Sequence, residues 1–221
     1  MYFHCMKITL QYYVELISLL ISLFLFTKSN KKKYLKLFPY YLLLTLIIEL
    51  LGEVLNKRKV HNLWLYNFFT TLEFVFYVWV IREIIRDIKV KKIFSIILIA
   101  YPSCALVNIV FIQRINHFHS YTYALGCLLI VASCIYYFYE LFLMPHSVKL
   151  LQQPAFWICS GLLFFYTFTF PIYGLTNFVL SLPKVIIRNL ENVIMILNVF
   201  LYSMFSIAFL CRIRMPKLSR S

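Results

Sequence analysis

Three carboxylates lie inside very apolar stretches of this chain, and their chemistry needs the most explanation. Glu49 and Glu53 belong to an apolar run that ends at a short basic break, and Glu73 lies within the next run. A carboxylate at the centre of a lipid bilayer costs roughly 2.5 kcal/mol or more on insertion scales. Such groups usually face a bundle interior or a water-filled cavity and pair with another polar group. We therefore treat these three glutamates as candidate ligand-binding residues.

The composition predicts that the elements carrying these residues are transmembrane helices. Of the 221 residues, 62% are hydrophobic and 14% are charged, whereas soluble domains are about 45–50% apolar and about 25% charged. The apolar residues form runs of about 20, the length of a helix that crosses a bilayer core of about 30 Å. Alternating segments of about ten residues, as in a β-barrel, are missing. We predict an all-α, polytopic membrane protein, a single domain of seven transmembrane helices at about 8–27, 38–55, 62–81, 93–112, 120–139, 155–175 and 190–211.

The positive charge predicts an orientation in the membrane. The net charge is +14, and most lysines and arginines lie at the ends of apolar runs, where they set topology and contact anionic headgroups. One set of alternate loops, together with the C-terminal tail, carries about twice as many of them as the other. This asymmetry predicts an outside N-terminus and a cytoplasmic C-terminus, and the composition suggests a bacterial inner membrane. Binding to nucleic acid is not expected, because no basic face interleaved with aromatic residues forms outside the bilayer.

Polar side chains concentrate in the half of the bilayer that this orientation makes the outer half. Glu49 and Glu53 are four residues apart and share a helix face. At a rise of 1.5 Å per residue, Glu73 lies about 16 Å from the outer boundary. We predict a polar, net acidic cavity that opens outward and ends near Glu73; its expected ligand-binding residues are Glu49, Glu53, Asn67, Glu73, Asn108 and Asn198. The alternative is that these groups only pair with each other between helices.

No cofactor or metal site is predicted. The six cysteines form no CxxC pair, and four of them lie inside apolar runs, where a free thiol packs like a small apolar residue. The pair His117-x-His119 leaves open a zinc, copper or pH-sensing role with a third imidazole, but no HExxH motif supports a catalytic metal. A GxSxG motif is also absent.

Three functions fit this pattern. The first is a sensor-like or receptor-like protein that binds a small ligand or cation in the outer cavity and signals to a partner through basic cytoplasmic segments at 28–36, 82–92 and 212–220. We expect the stretch 82–92 to continue the preceding helix along the headgroups. The second is a small-solute or proton-coupled transporter, and the third is a membrane enzyme that acts on lipids with Glu73 as general base. The layout is similar to the sensor modules that precede bacterial signalling domains, although no output domain is expected here.

Overall fold

The computed structural model describes residues 2–26, 32–115, 117–143, 150–174 and 183–211, and within these ranges the chain is helical, with no strand. Helix α4 continues without a break into a π-helix at Asn108–Ile112, and a short 3₁₀ turn at Leu150–Gln152 precedes α6. The α-helices are α1 Tyr2–Phe26, α2 Lys33–Lys57, α3 Leu63–Ile84, α4 Ile88–Val107, α5 Ser120–Phe142, α6 Pro154–Gly174 and α7 Lys184–Leu210.

Helices α2 to α7 are long and apolar enough to cross a membrane, and α1 has a shorter apolar part at Leu10–Phe24. Large apolar side chains cover the outer surface of the bundle; Ile99 is 72% exposed and Phe111 is 76% exposed. A surface of this kind suits contact with lipid chains, since a soluble protein rarely exposes contiguous apolar patches of this extent. The predicted all-α, multi-pass membrane bundle is therefore confirmed, whereas its orientation stays a prediction.

The expectation that the stretch 82–92 continues one helix is wrong. Helix α3 ends at Ile84 and α4 begins at Ile88. The side chain of Asp87 accepts a hydrogen bond of 2.7 Å from the backbone N–H of Lys89, which caps α4. Glu140 of α5 accepts the N–H groups of Arg86, at 3.0 Å, and of Asp87, at 2.9 Å. These carboxylates accept hydrogen bonds from backbone N–H groups that have no partner within a helix. They therefore stabilise a turn between α3 and α4 in place of one continuous helix.

Two helices also begin earlier than predicted. Helix α2 begins at Lys33, not at about 38, and includes Pro39. Helix α7 begins at Lys184, not at about 190, directly after Pro183, whose backbone is extended. Proline is well tolerated where a helix starts because the first N–H groups of a helix have no partner in the helix. Residue 175, the predicted end of the sixth segment, and the part 176–182 of the predicted connection before α7 lie outside the described residues.

The helices form a closed ring. Contacts run from α1 to α2, α2 to α3, α3 to α5, α5 to α6, α6 to α7, and from α7 back to α1, while α4 packs outside the ring against α3 and α5. Successive helices run in opposite directions, so α1, α3, α5 and α7 all begin at one end of the bundle. We call this the His117 end, because the connection between α4 and α5 that contains His117 lies there, and we call the opposite end the Arg82 end.

Aromatic residues fill the ring toward the Arg82 end. Phe38, Phe74, Tyr77 and Phe205 come from three helices and are fully buried. The rings of Phe38 and Phe205 have centroids 5.0 Å apart in an edge-to-face arrangement, which is a favourable geometry for aromatic pairs. We call these four residues the aromatic layer. The aromatic layer thus separates the hollow toward the His117 end from a smaller cavity of about 420 Å³ at the Arg82 end, which Glu83 and Arg86 line.

Candidate ligand-binding site

A cavity of about 840 Å³ lies between α2, α3, α5, α6 and α7 on the His117 side of the aromatic layer. Leu63, at the start of α3, and Ile112, His117 and Phe118, from the connection between α4 and α5, line it near the helix ends. Glu73 lies ten residues along α3 from Leu63, which places it about 15 Å deeper. The volume falls within the range of about 300–1,000 Å³ that small-molecule sites occupy. We call this space the main cavity.

The walls of the main cavity are aromatic and acidic. The acidic groups are Glu49 of α2 and Glu73 of α3, and no lysine or arginine of the described residues lines the cavity. Aromatic faces carry partial negative charge, so these walls and the two carboxylates attract the same sign of charge. Eight lining residues are aromatic: Tyr66, Phe69, Phe118, Tyr121, Tyr123, Phe165, Tyr173 and Tyr202.

Glu73 is held by a chain of tyrosine hydroxyls. The Tyr41 hydroxyl lies 3.0 Å from Oε1 of Glu73 and 2.8 Å from the Tyr77 hydroxyl. A tyrosine hydroxyl has only one proton to donate. When Tyr41 donates to the carboxylate, Tyr77 donates to Tyr41. The chain therefore fixes the direction of the carboxylate and links the floor of the cavity to the aromatic layer.

Glu49 belongs to the cavity wall and also to a buried polar cluster with α1. The Nε2 group of Gln11 donates to Oε1 of Glu15 and to Oε1 of Glu49, each at 3.0 Å. Glu15 is only 3% exposed, and its Oε2 has no hydrogen-bond partner among the described residues. Two carboxylates thus share one neutral amide group in the interior of the bundle.

Glu53 lies apart from the main cavity. Its carboxylate forms an ion pair of 2.7 Å with Nζ of Lys57, one helical turn further along α2. With Gln11, Tyr12 and Glu49, it lines a smaller cavity of about 240 Å³ between α1, α2 and the start of α3. Because Glu53 is close to the end of α2, its carboxylate pairs with the lysine that ends this helix.

Asn67 and Asn108 hold the connection that lines the main cavity. Nδ2 of Asn67 donates to the backbone carbonyl of His117 at 2.8 Å, and Oδ1 of Asn67 accepts the N–H of His119 at 3.2 Å. Nδ2 of Asn108 donates to Oε1 of Gln113 at 2.8 Å. Both asparagines are buried. The two residues position the mouth of the cavity and do not line it.

His119 is a second anchor of this connection. One ring nitrogen lies 2.6 Å from the Thr70 hydroxyl, and the other lies 2.7 Å from the Thr122 hydroxyl. Its side chain is fully buried, and this burial lowers the pKa of His119 to about 4. Both ring nitrogens thus have hydroxyl partners, unlike those of a metal ligand. No cluster of three or more His, Cys, Asp or Glu side chains suited to a metal ion occurs in the described ranges.

Of the six residues predicted to bind a ligand, Glu49, Glu73 and Asn198 line the main cavity. Ligand binding by these residues stays a prediction. Gln11 and Glu15 of the polar cluster were not predicted as site residues, although their spacing of four places them on one helix face. Among the aromatic residues that line the cavity, depth along the helices indicated only Tyr66 and Tyr202 as possible wall residues; the other aromatic walls gave no sequence signal, because tyrosine and phenylalanine occur throughout the chain.

Comparison with protein families, with curated proteins and with solved structures finds no significant match to this chain. The function of the main cavity must therefore be inferred from its own geometry and chemistry.

Proposed function

We propose that this chain is a receptor-like, multi-pass membrane protein that binds a small organic cation in the main cavity. The observation that carries this proposal is the placement of the Glu73 carboxylate at the deep end of a pocket with aromatic walls. Carboxylates combined with aromatic faces are the groups that recognise amines and quaternary ammonium ions. The proposal includes the predicted orientation, in which the main cavity opens to the outside of a bacterial inner membrane.

The charges along the cavity determine the sign of the charge that a ligand must carry. A cation would be attracted both by Glu73 and by aromatic faces such as those of Phe69 and Tyr202, which contribute about 0.5–2 kcal/mol each depending on desolvation. At an effective dielectric constant of about 20, two unit charges about 4 Å apart interact by about 4 kcal/mol. An anion would meet the same energies with the opposite sign, so it would be excluded.

The packing on the Arg82 side of Glu73 supports a protein that binds its ligand without transporting it across the membrane. Phe74 and Tyr77 follow Glu73 along α3 and are fully buried, as are Phe38 and Phe205. A ligand that reaches Glu73 from the His117 end therefore meets a filled layer of aromatic rings. We expect this layer to transmit the binding event toward the Arg82 end, where basic residues such as Arg82 and Arg86 would meet a partner protein. The predicted basic segment 212–220 and the part 28–31 of the predicted segment 28–36 lie outside the described residues.

One observation favours a proton-coupled transporter as the second candidate function. The hydroxyls of Tyr41 and Tyr77 lead from Glu73 into the aromatic layer, and hydrogen-bonded chains with an acid are typical of proton relays in transporters. This function requires the layer to open toward the Arg82 end. Uptake of a labelled organic cation into proteoliposomes, dependent on Glu73, would separate transport from binding alone.

Thermal unfolding of the purified full-length chain in lipid nanodiscs tests the proposal. The probes are organic cations, such as phenethylammonium and tetraethylammonium, each paired with a neutral compound of similar shape. We expect the cations to raise the unfolding temperature, the neutral compounds to have little effect, and Glu73→Gln to remove the shift. Glu53→Gln is the matched control, since Glu53 lies outside the main cavity, and it should keep the shift. Equal shifts from charged and neutral compounds would contradict the proposal.

A further inference from the structure

The contact between α1 and α2 contains two carboxylates, those of the buried Glu15 and the half-buried Glu49, and neither has a cationic partner among the described residues. Oε1 of Glu15 and Oε1 of Glu49 each lie 3.0 Å from Nε2 of Gln11, so the two oxygens are no further apart than twice this distance. The amide group of Gln11 donates hydrogen bonds but carries no charge. Two like charges at this separation repel each other strongly in a low-dielectric interior. A bound cation would relieve this repulsion.

A second observation points to a missing ligand at the same place. Oε2 of Glu15 is buried and has no hydrogen-bond partner among the described residues, and Glu15 as a whole is 3% exposed. A buried polar atom without a partner costs free energy, and in native structures it usually indicates a water or an ion that completes the site. Oε1 of the same carboxylate accepts a hydrogen bond from Gln11, which also donates to Glu49 across the contact between α1 and α2.

The side-chain atoms that could coordinate a metal ion near this contact are oxygen atoms. Glu49 also borders the smaller cavity of about 240 Å³, which the side chains of Tyr12, Glu53 and Asn62 line as well. Carboxylate, amide and hydroxyl oxygens are the ligands of hard cations such as Na⁺ and Ca²⁺, whereas zinc and copper prefer imidazole and thiolate groups. Glu53 already forms an ion pair with Lys57 at 2.7 Å, which leaves Glu15 and Glu49 as the charged ligands.

We propose that Glu15 and Glu49 bind one hard metal cation between α1 and α2, at a site that shares only Glu49 with the main cavity. The ion replaces the hydrogen bonds of Gln11 as the link between the carboxylates and holds α1 against α2. Na⁺ and Ca²⁺ share the required oxygen chemistry, and the experiment below distinguishes them. The site needs no organic ligand, so it does not depend on the proposed function of the main cavity.

Glu49 connects the two sites, because it lines both cavities. A metal ion that coordinates the Glu49 carboxylate reduces the negative charge of the main cavity and so weakens its attraction for an organic cation. The two ligands therefore weaken each other's binding, and by thermodynamic linkage each affinity falls by the same factor. This coupling rests on the proposed function, whereas metal binding by itself does not.

The test is thermal unfolding of the full-length chain in nanodiscs of zwitterionic lipid, with no organic ligand present. The ionic strength is held constant while N-methylglucamine is replaced by Na⁺, or while millimolar Ca²⁺ is added. We expect one of these ions to raise the unfolding temperature by several degrees, as binding to the folded state requires. Glu15→Gln and Glu49→Gln should remove the shift, and Glu53→Gln should keep it.

Folding of the variants does not obscure the result. Glu15→Gln removes the repulsion between the carboxylates, so without metal it should unfold at the same temperature as the unmodified chain or at a higher one. Equilibrium binding of ²²Na⁺ or ⁴⁵Ca²⁺ gives a second measurement, in which the unmodified chain binds about one ion and Glu15→Gln binds none. The proposal would be overturned if acid raised the unfolding temperature while neither metal ion raised it and neither tracer was retained. In that case the two carboxylates would share a proton instead of a metal ion. Metal binding that survives Glu15→Gln and Glu49→Gln would also overturn the proposal.

Discussion

The hydroxyl of Tyr41 on α2 lies 3.0 Å from Oε1 of Glu73 on α3, at the deep end of the main cavity. The same hydroxyl is 2.8 Å from that of Tyr77, which is fully buried in the aromatic layer. A single side chain thus joins the carboxylate that faces the cavity to the packed part of the bundle. This link is the route by which a bound cation would affect the packing between α2 and α3.

Replacing Tyr41 tests this link. In Tyr41→Phe, Glu73 loses a donor and the buried Tyr77 hydroxyl loses its partner. An unsatisfied buried polar group costs about 1–3 kcal/mol, so we expect destabilisation of that size in thermal or denaturant unfolding. The matched control is Tyr13→Phe, because Tyr13 is 62% exposed and should change stability little. Equal effects of the two changes would mean that the Tyr41 hydroxyl has no special role.

The connection between α4 and α5 should loosen when Asn67 is changed. Asn67→Ala removes the hydrogen bonds to the carbonyl of His117 and to the N–H of His119, at an expected cost of about 1–3 kcal/mol. Hydrogen–deuterium exchange should then increase in peptides covering 113–119. Asn56→Ala serves as the control, since Asn56 is exposed. Unchanged protection of the connection in Asn67→Ala would contradict the role given to this residue.

Acid should destabilise the fold through His119. Its pKa is lowered to about 4 by burial, whereas an unfolded chain has a histidine pKa of about 6.5. Below about pH 6.5 the unfolded chain binds the proton more readily than the folded chain does, so stability falls as the pH drops toward 4. Between about pH 7.5 and pH 5 the loss should be about 2 kcal/mol.

The variant His119→Gln isolates this effect from the titration of other groups. Glutamine keeps polar contacts to Thr70 and Thr122 but has no proton to gain in this pH range. Unfolding measured at several pH values should show a smaller loss on acidification in His119→Gln than in the unmodified chain. Parallel pH curves for the two proteins would show that His119 does not titrate in this way.

Close packing of α3 against α5 depends on Gly126. A Cβ atom at this position would lie 2.8 Å from ring atoms of the buried Phe74, so Gly126→Ala must move a rigid ring within the core. Overpacking of this kind costs about 1–3 kcal/mol, and the unfolding temperature should fall. At Gly174, a Cβ atom would approach the Cβ of Ala124 only to 3.3 Å, and Gly174→Ala should be milder. The account fails if the two variants are equally stable.

The helical bundle was predictable because long apolar runs are a strong signal, but their ends were not. The break between Ile84 and Ile88 depends on Glu140, which is distant in sequence and accepts the N–H groups of Arg86 and Asp87. No local pattern shows such a contact. The start of α7 at Lys184 was missed because the mildly apolar stretch before residue 190 was interpreted as a connection in the membrane interface.

The candidate site was only partly predictable, because depth in the membrane does not determine which way a side chain points. Glu73 lines the main cavity, whereas its depth in the membrane stays a prediction. Asn67 and Asn108 were chosen on the same argument, yet they form hydrogen bonds with the connection between α4 and α5. The pairing of Glu15 with Glu49 through Gln11 requires knowledge of which helices are neighbours, and that depends on the closure of the ring by α1 and α7.

Isothermal titration calorimetry with one charged and neutral pair of ligands tests the central claim most directly. The purified chain is titrated with phenethylammonium and with a neutral compound of the same shape, and the titrations are repeated with Glu73→Gln. We predict that the cation binds the unmodified chain and that Glu73→Gln weakens its binding by about tenfold or more, since tenfold corresponds to only about 1.4 kcal/mol of the attraction to the carboxylate. The neutral compound should bind both proteins weakly. Equal affinities for the cation with and without the Glu73 carboxylate would contradict the account.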